Sequence, residues 1–214
     1  MIENSKLSHY KIKKIIQCFC IDIPASKTAL LLNLNRNTIN YWYMIFREAI
    51  YDYQFGLLPS WAKELKFSSH TYNARTETVG DKPSFRHAWK YSKFCLVPVQ
   101  EFYEPKYING KPHCYTIKCK DNQPFTVAGI YDDAVINGNK VRSFSMLTIN
   151  SDHHPFMNQF HAPKNEKRSI IVIPEQYRKD WLTADHEHAH EYFFHMSDEF
   201  VTFPRDEQKQ NDLF

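Results

Sequence analysis

The chain has 214 residues, 43% of them apolar and 24% charged, with a formal charge of +3. A chain this long buries roughly 70% of its unfolded surface, so it can hold a core without disulfides or metal. Five glycines and eleven prolines exclude collagen-like repeats, and neither of the glycine-rich nucleotide-binding patterns, G-x-x-x-x-G-K-[ST] or G-x-G-x-x-G, occurs. No apolar run approaches the ~18–20 residues of a membrane span, and the N-terminus carries no signal-peptide pattern. The five cysteines (Cys18, Cys20, Cys95, Cys114, Cys119) are odd in number and unpaired in spacing. They read as reduced thiols of a cytoplasmic protein, small apolar fillers rather than zinc ligands.

Charge is unevenly distributed. Residues 1–53 carry seven Lys/Arg against four Asp/Glu, whereas the remainder is balanced. A small basic module joined to a larger neutral one points to a polyanion as partner of the first. Within it, Ile12, Ile15, Ile16 and Phe19 recur at helical spacing. Pro24 stops or starts an element, and Ser26 caps a second helix through Leu30, Leu31 and Leu32. Asn33-Leu34-Asn35 breaks the pattern, and Asn35 or Asn37 caps a third helix whose core face includes Ile39, Trp42, Ile45 and Phe46. Two short helices around such a turn have helix-turn-helix spacing. The last helix opens with Arg36, Asn37, Thr38 and Asn40, side chains able to reach base edges and phosphates. The plain alternative is an αα-hairpin that only packs. The segment PASKTALLLNLNRNTINYWYMIFREAI resembles the N-terminal helix-turn-helix of insertion-sequence transposases. That resemblance covers residues 5–51 and implies duplex DNA as a partner of this module.

From residue 54 onward the pattern changes to strands. Phe94 to Val99, His113 to Cys119 and Pro124 to Ile130 read as strands. Asn122-Gln123 marks a turn, and Asn137-Gly138-Asn139 joins strands Ile130–Val135 and Val141–Ile149. Ser169 to Ile173 is a further strand, after which Pro174 opens a helix through Tyr177, Trp181 and Leu182. The expected class is α+β: a mostly antiparallel, partly closed sheet with peripheral helices, preceded by a small all-α module. The expected domains are 1–53 and 54–214.

An ordered series of motifs runs through this second part: Phe55-Gly56-Leu57-Leu58-Pro59-Ser60-Trp61-Ala62, Asn73-Ala74-Arg75-Thr76-Glu77-Thr78, Lys82-Pro83-Ser84-Phe85-Arg86, Cys95-Leu96-Val97-Pro98, Glu101-Phe102-Tyr103-Glu104, Phe125 to Gly129, and His161-Ala162-Pro163. The series closely resembles the SOS-response-associated peptidase (SRAP) family of abasic-site processing proteins, over about residues 54–184. The resemblance implies binding of single-stranded DNA at an abasic site, whose ring-opened sugar exposes an aldehyde. In the family, the cysteine after the initiator Met captures that aldehyde as a thiazolidine, and the same terminus is linked to autoproteolysis. By their places in the motifs, Glu104, His161 and Asn73 match the family's proton-shuttling carboxyl, its histidine and its positioning amide. Arg75 and Arg86 match phosphate-holding positions, Lys167 and Arg168 add positive charge beside them, and Trp61 matches an aromatic that stacks on a base. No cofactor or metal is implied. A cytoplasmic protein associated with the bacterial nucleoid follows from the same resemblance.

Taken one at a time, these residues have plainer readings: a strand-end charge for Glu104, a structural histidine for His161, a loop-stabilising pair for Asn73 and Arg75. Their joint placement in one pattern reverses that. His186-x-His188-x-His190 reads as a solvated helix end, His153-His154-Pro155 as a loop and a candidate lining of the DNA groove, and Arg205 to Phe214 as a frayed tail. The departure from the family lies at the start. Residue 2 is Ile2, and helical sequence stands where the family's opening strand region would precede GLLPSWA. A gap or a raw edge in the sheet and impaired crosslinking and autopeptidase chemistry are therefore expected. Two readings stand: an abasic-site DNA-processing enzyme, intact or crippled, and a non-catalytic DNA-binding fusion or remnant in which the helix-turn-helix dominates.

Overall fold

The computed structural model describes residues 7–20, 23–51 and 53–205. Ile2 and the tail beyond Arg205 lie outside the described residues. The chain divides into two compact units, Met1–Tyr53 and Gln54–Phe214.

The first unit holds α1 (His9–Cys20), α2 (Ala25–Leu32) and α3 (Arg36–Tyr51). Ile15, Ala29, Ile39, Trp42 and Tyr43 are its buried core. Inside it, the Tyr43 hydroxyl donates to the Ile23 carbonyl (2.8 Å) and accepts from Thr28 Oγ1 (2.8 Å), so both buried hydroxyls are satisfied. The expected cap at Ser26 is not formed. Helix α2 starts one residue earlier, after Pro24, whose carbonyl takes the first N–H groups, and no side chain caps it. Asn33 closes α2 in the left-handed conformation at φ +49°, a role asparagine fills with little strain. Of the two capping candidates for α3, Asn35 serves: its Oδ1 accepts the Asn37 N–H at 2.8 Å. Ile16, placed on the apolar face by its spacing, is 41% exposed.

The second unit is built around β7 (Asn139–Asn150). The long β6 (Phe125–Ile136) pairs with it antiparallel across a two-residue turn, Asn137-Gly138, both at positive φ. The two strands expected on either side of Ile130 are thus one. On its other edge β7 carries β1 (Tyr53–Phe55) and the parallel β2 (Asn73–Arg75). The raw edge expected there is covered by these two short strands. Thr148 pairs with Arg75 of β2 and with Ile170 of β8 (Arg168–Ile170), so β8 takes over the β6 edge where β6 turns away. Ala128 then donates to Ile171 O, curling the sheet. Strand β3 (Phe94–Val99) flanks β6. The second sheet has the order β4 (Phe102–Ile108), β5 (Lys111–Cys119), β9 (Phe200–Pro204), all antiparallel.

Between the two sheets lies a core of Ile117, Phe125, Val127, Met157, Phe160 and Phe200. Behind β6 and β7 lies a larger one that includes Leu57, Ile130, Leu147, Ile171 and Trp181. The short α4 (Arg86–Lys90) and α5 (Arg178–Thr183) are peripheral. Trp181 of α5 stacks on Phe94 (centroids 4.3 Å apart) and donates Nε1–H to Cys95 O. Two expectations need correction. The element after Pro174 is one 3₁₀ turn (Glu175–Tyr177) followed by α5. The His186–His190 segment is not a helix end: Asp185 Oδ1 accepts the N–H groups of Glu187 and His188, making a turn, and a 3₁₀ turn over Ala189–Tyr192 follows. Among the described residues no group of three His, Cys, Asp or Glu could hold a metal ion, and no helix is long and apolar enough to cross a membrane.

Candidate active site

Strand β4 and the loop entering β8 are far apart in sequence, yet they meet. The backbone N–H of His161 donates to Pro105 O at 2.7 Å, which sets His161 beside the residue before Pro105. Glu104 Oε2 lies 3.4 Å from His161 Nδ1, and the two side chains are 20% and 21% exposed. Burial pushes the Glu104 carboxyl up to about 7, because a carboxylate withdrawn from water loses solvation that nothing replaces. On its other side His161 faces the Arg168 carbonyl, with Nε2 at 3.1 Å. A carbonyl can only accept, so Nε2 donates to it and the ring presents its Nδ1 to Glu104. A carboxyl near its midpoint at neutral pH, facing an imidazole nitrogen, can give and take a proton. The 3.4 Å separation is longer than a formed hydrogen bond, as is common in sites without substrate.

His161 has φ +62°, a conformation that costs a non-glycine residue of order 1 kcal/mol or more and persists only where neighbours enforce it. Here Lys167 is the enforcer. Its Nζ donates to the carbonyls of His161 (3.1 Å) and Ala162 (2.8 Å). Arg168 is held in turn: NH1 and NH2 bond Glu77 (both 2.9 Å), NH1 bonds Glu166 (2.8 Å), and NH2 bonds Thr148 O (2.6 Å). Its side chain is 12% exposed. Arg75 NH1 reaches the other oxygen of Glu166 at 2.7 Å while staying 58% exposed. The hydrogen bonds from Arg168 and Asn150, with the charges of Arg168 and Arg75, hold the Glu166 carboxyl below its ordinary value.

The sequence-derived residues therefore separate. Glu104 and His161 are in contact. Asn73 and Arg75 share the exposed face of β2, with Ala74 turned inward. The Asn73 amide makes no hydrogen bond to any described residue, and none joins it to Glu104 or His161. Lys167 and Arg168, expected on phosphates, have their cationic groups engaged inside the protein. Arg86 is exposed at the start of α4 and has no ion pair among the described residues. Trp61 is 52% exposed and edge-on to Phe67. It lines a shallow groove of about 400 Å³ with Lys63, Lys66 and His70, three basic side chains the motif series did not mark. On α3, Arg36, Asn37 and Asn40 are exposed and Thr38 is half-buried. Glu77 and Glu166 were missed as well. The signal for them was an arginine pair with no counter-charge in its own strand.

The chain is similar to known proteins. The abasic site processing proteins YoaM and YoqW of Bacillus subtilis (strain 168) are 31% and 32% identical over 131 residues, which is 60% of this chain and 54% and 55% of theirs. YoqW of Bacillus phage SPbeta is 32% identical over the same length. The chain thus spans about half the length of these curated relatives. A crystal structure of a protein from Bordetella bronchiseptica matches with TM-score 0.66 and 28% identity, over 71% of this chain and 75% of the other. One from Bacteroides thetaiotaomicron shares the fold, with TM-score 0.60 and 22% identity over 73% and 69%. Residues 33–205 match the family described as SOS response associated peptidase (SRAP), starting well before residue 54, and the chain belongs to that family.

Proposed function

We propose that the Gln54–Phe214 unit binds single-stranded DNA at abasic sites and handles the protons of the ring-opened sugar, with Glu104 and His161 as the acid–base pair. The observation that carries this reading is their contact: two residues 57 positions apart, each at the place the motif series assigns, meet with a carboxyl oxygen and a ring nitrogen face to face. Ring opening moves a proton from the sugar hydroxyl to the ring oxygen, and Glu104 is poised to carry it at neutral pH. Asn73, exposed and with an amide that makes no hydrogen bond to a described residue, holds the sugar. Arg75 and Arg86 take the phosphates and Trp61 stacks on a base. Lys167 and Arg168 act one step back, by fixing the His161 loop.

In the sequence as it stands, Ile2 supplies no thiol. For a protein whose N-terminus is Met1-Ile2, the proposed reaction stops short of a thiazolidine and the autopeptidase chemistry is impaired. The test is incubation with single-stranded DNA carrying an abasic site, followed by denaturing electrophoresis. Abasic DNA binds more tightly than intact DNA, and no denaturant-stable adduct forms without borohydride. A heat-stable adduct without trapping overturns the second half of the reading; equal binding of intact DNA overturns the first.

A second reading has its own support. Asn35 caps α3 and leaves Arg36, Asn37 and Asn40 on its exposed face, the arrangement by which a recognition helix meets a major groove. We propose duplex DNA as the partner of the helical unit, tested by mobility shift with random-sequence duplex. Duplex binding lost in an Arg36→Ala, Asn37→Ala, Asn40→Ala variant that still binds abasic single strands assigns the two functions to the two units. Retention of duplex binding in that variant overturns the assignment.

A further inference from the structure

The Glu104–His161 pair has an amine for a neighbour. In β4, Phe102, Glu104 and Lys106 are half-buried while Tyr103 and Pro105 between them are exposed, so Glu104 and Lys106 share the inner face. Two residues along a strand span about 7 Å. Tyr115 stands directly opposite Glu104 in the β4–β5 register, and Lys106 Nζ lies 5.3 Å from the centre of the Tyr115 ring. The lysine chain therefore leans back along the strand toward the Glu104 position, away from His113, its own partner in the register. On the other edge of β4, Lys106 bridges Phe160, and Pro105 O takes the His161 N–H. Glu104, His161 and Lys106 are thus fixed by one stretch of β4 and the loop laid against it.

Its partners set this lysine apart from Lys167, the other one bonded at the loop. Lys167 donates to two main-chain carbonyls and holds the positive-φ turn at His161, so releasing it would cost that turn its support. Lys106 makes one hydrogen bond among the described residues, to Gln159 Oε1 at 2.7 Å, and no ion pair among them. Gln159 is itself anchored, its Nε2 donating to Phe156 O at 2.7 Å. A neutral amide and a ring face position the ammonium without neutralising it. A half-buried amine beside an acid–base pair, with no carboxylate as its own partner, is suited to attack a carbonyl.

We infer that Lys106 is the nucleophile of this chain: its Nζ attacks the C1′ aldehyde of the ring-opened abasic sugar and forms an imine. The inference rests on the abasic-site reading above. An ammonium and an aldehyde give an iminium ion and one water. Glu104, with its carboxyl near its midpoint at neutral pH, takes one proton from Nζ and delivers it to the aldehyde oxygen as the N–C1′ bond forms. A second nitrogen proton follows the same route. The C1′–O bond then breaks, the oxygen leaves as water, and the nitrogen lone pair closes the N=C1′ double bond. Glu104 ends as it began. The bond needs no thiol, and water reverses it unless it is reduced.

The test is to reduce that imine in place. The full chain is incubated under borohydride with a single-stranded oligonucleotide holding one abasic site, and in parallel with the tetrahydrofuran analogue, which has no aldehyde. A covalent band is expected with the first and none with the second, and peptide mapping of the reduced adduct is expected to place it on Lys106. Lys106→Arg keeps the positive charge and removes the primary amine. It is expected to lose the band while binding the analogue strand as the parent chain does, and thermal unfolding checks that it folds. If it does not fold, the mapping on the parent chain decides. A band undiminished in the variant, a band formed with the analogue, or an adduct mapped to the N-terminal amine or to Lys167 overturns the assignment. A parent chain that prefers the analogue strand to an intact one yet gives no band overturns the assignment and leaves the abasic reading standing. A parent chain without that preference overturns the abasic reading, and the assignment with it.

Discussion

Glu104 shows how one withdrawn carboxyl sets both chemistry and stability. Its midpoint is raised to about 7 by burial, whereas in the unfolded chain it titrates near 4.3. Between those values the folded state holds the proton and the unfolded state does not. Folding stability therefore falls as pH rises through the window, by up to about 4 kcal/mol if Glu104 acts alone. Glu104→Gln is expected to remove that fall. Urea unfolding at pH 5 and pH 8 measures it, and an unchanged pH dependence in the variant would assign the effect to another group. The basic residues divide by their partners. Lys167 spends its ammonium on two carbonyls. Lys167→Met is accordingly expected to cost about 1 kcal/mol of stability and to leave the salt dependence of single-strand binding unchanged. Arg75→Gln is expected to lower the slope of log K against log salt by about 0.7, one phosphate's worth on a single strand. Titrations at three salt concentrations separate the two, and equal slopes for both variants would contradict this division.

At the scale of elements, short signals mattered more than long ones. A cap at Asn35 or Asn37 was legible because a side-chain acceptor must meet the free N–H groups at a helix start, and the fold gives that place to Asn35. Asn35→Ala is expected to cost about 1 kcal/mol of the helical unit's stability, read as lost helical circular dichroism on heating. Asn137-Gly138 marked the β6–β7 turn, since both positions need positive φ. Asn109-Gly110 carries the same signal, with φ +51° and +77°, and joins β4 to β5. It went unread, because β4 itself alternates poorly, with Pro105 and Lys106 at its centre. Gly56 is the second glycine with a physical task. Its φ is +92°, and a Cβ there would lie 2.1 Å from the Ser68 carbonyl oxygen. Gly56→Ala is expected to cost about 3 kcal/mol and lower Tm by roughly 10 °C. A variant within 2 °C of the parent would mean that the Leu65–His70 turn yields at little cost.

For the whole molecule the division into a helical and a sheet unit follows the change of hydrophobic period near residue 53, from 3.6 to 2. Each described core stays within its own unit. Binding of single-stranded DNA is expected to weaken steeply with salt, since counterion release drives it. A salt-independent affinity would place the stacking of bases, rather than phosphates, in control.

The sequence by itself determined the class of fold, the strands β3 and β7, the turn between β6 and β7, two candidates for the cap of α3 and the family, because periodicity, turn dipeptides and ordered motifs are local properties of the chain. It also marked Glu104 and His161. Tertiary structure alone decided what their neighbours do. Arg168 and Lys167 read as free cations until the fold brought Glu77, Glu166 and two loop carbonyls to them. The proton on His161 Nε2 likewise depends on a carbonyl seven residues away that points at it only after β8 joins β7. A charged side chain takes its role from whichever partner reaches it with least loss of solvation, and only packing between distant segments selects that partner.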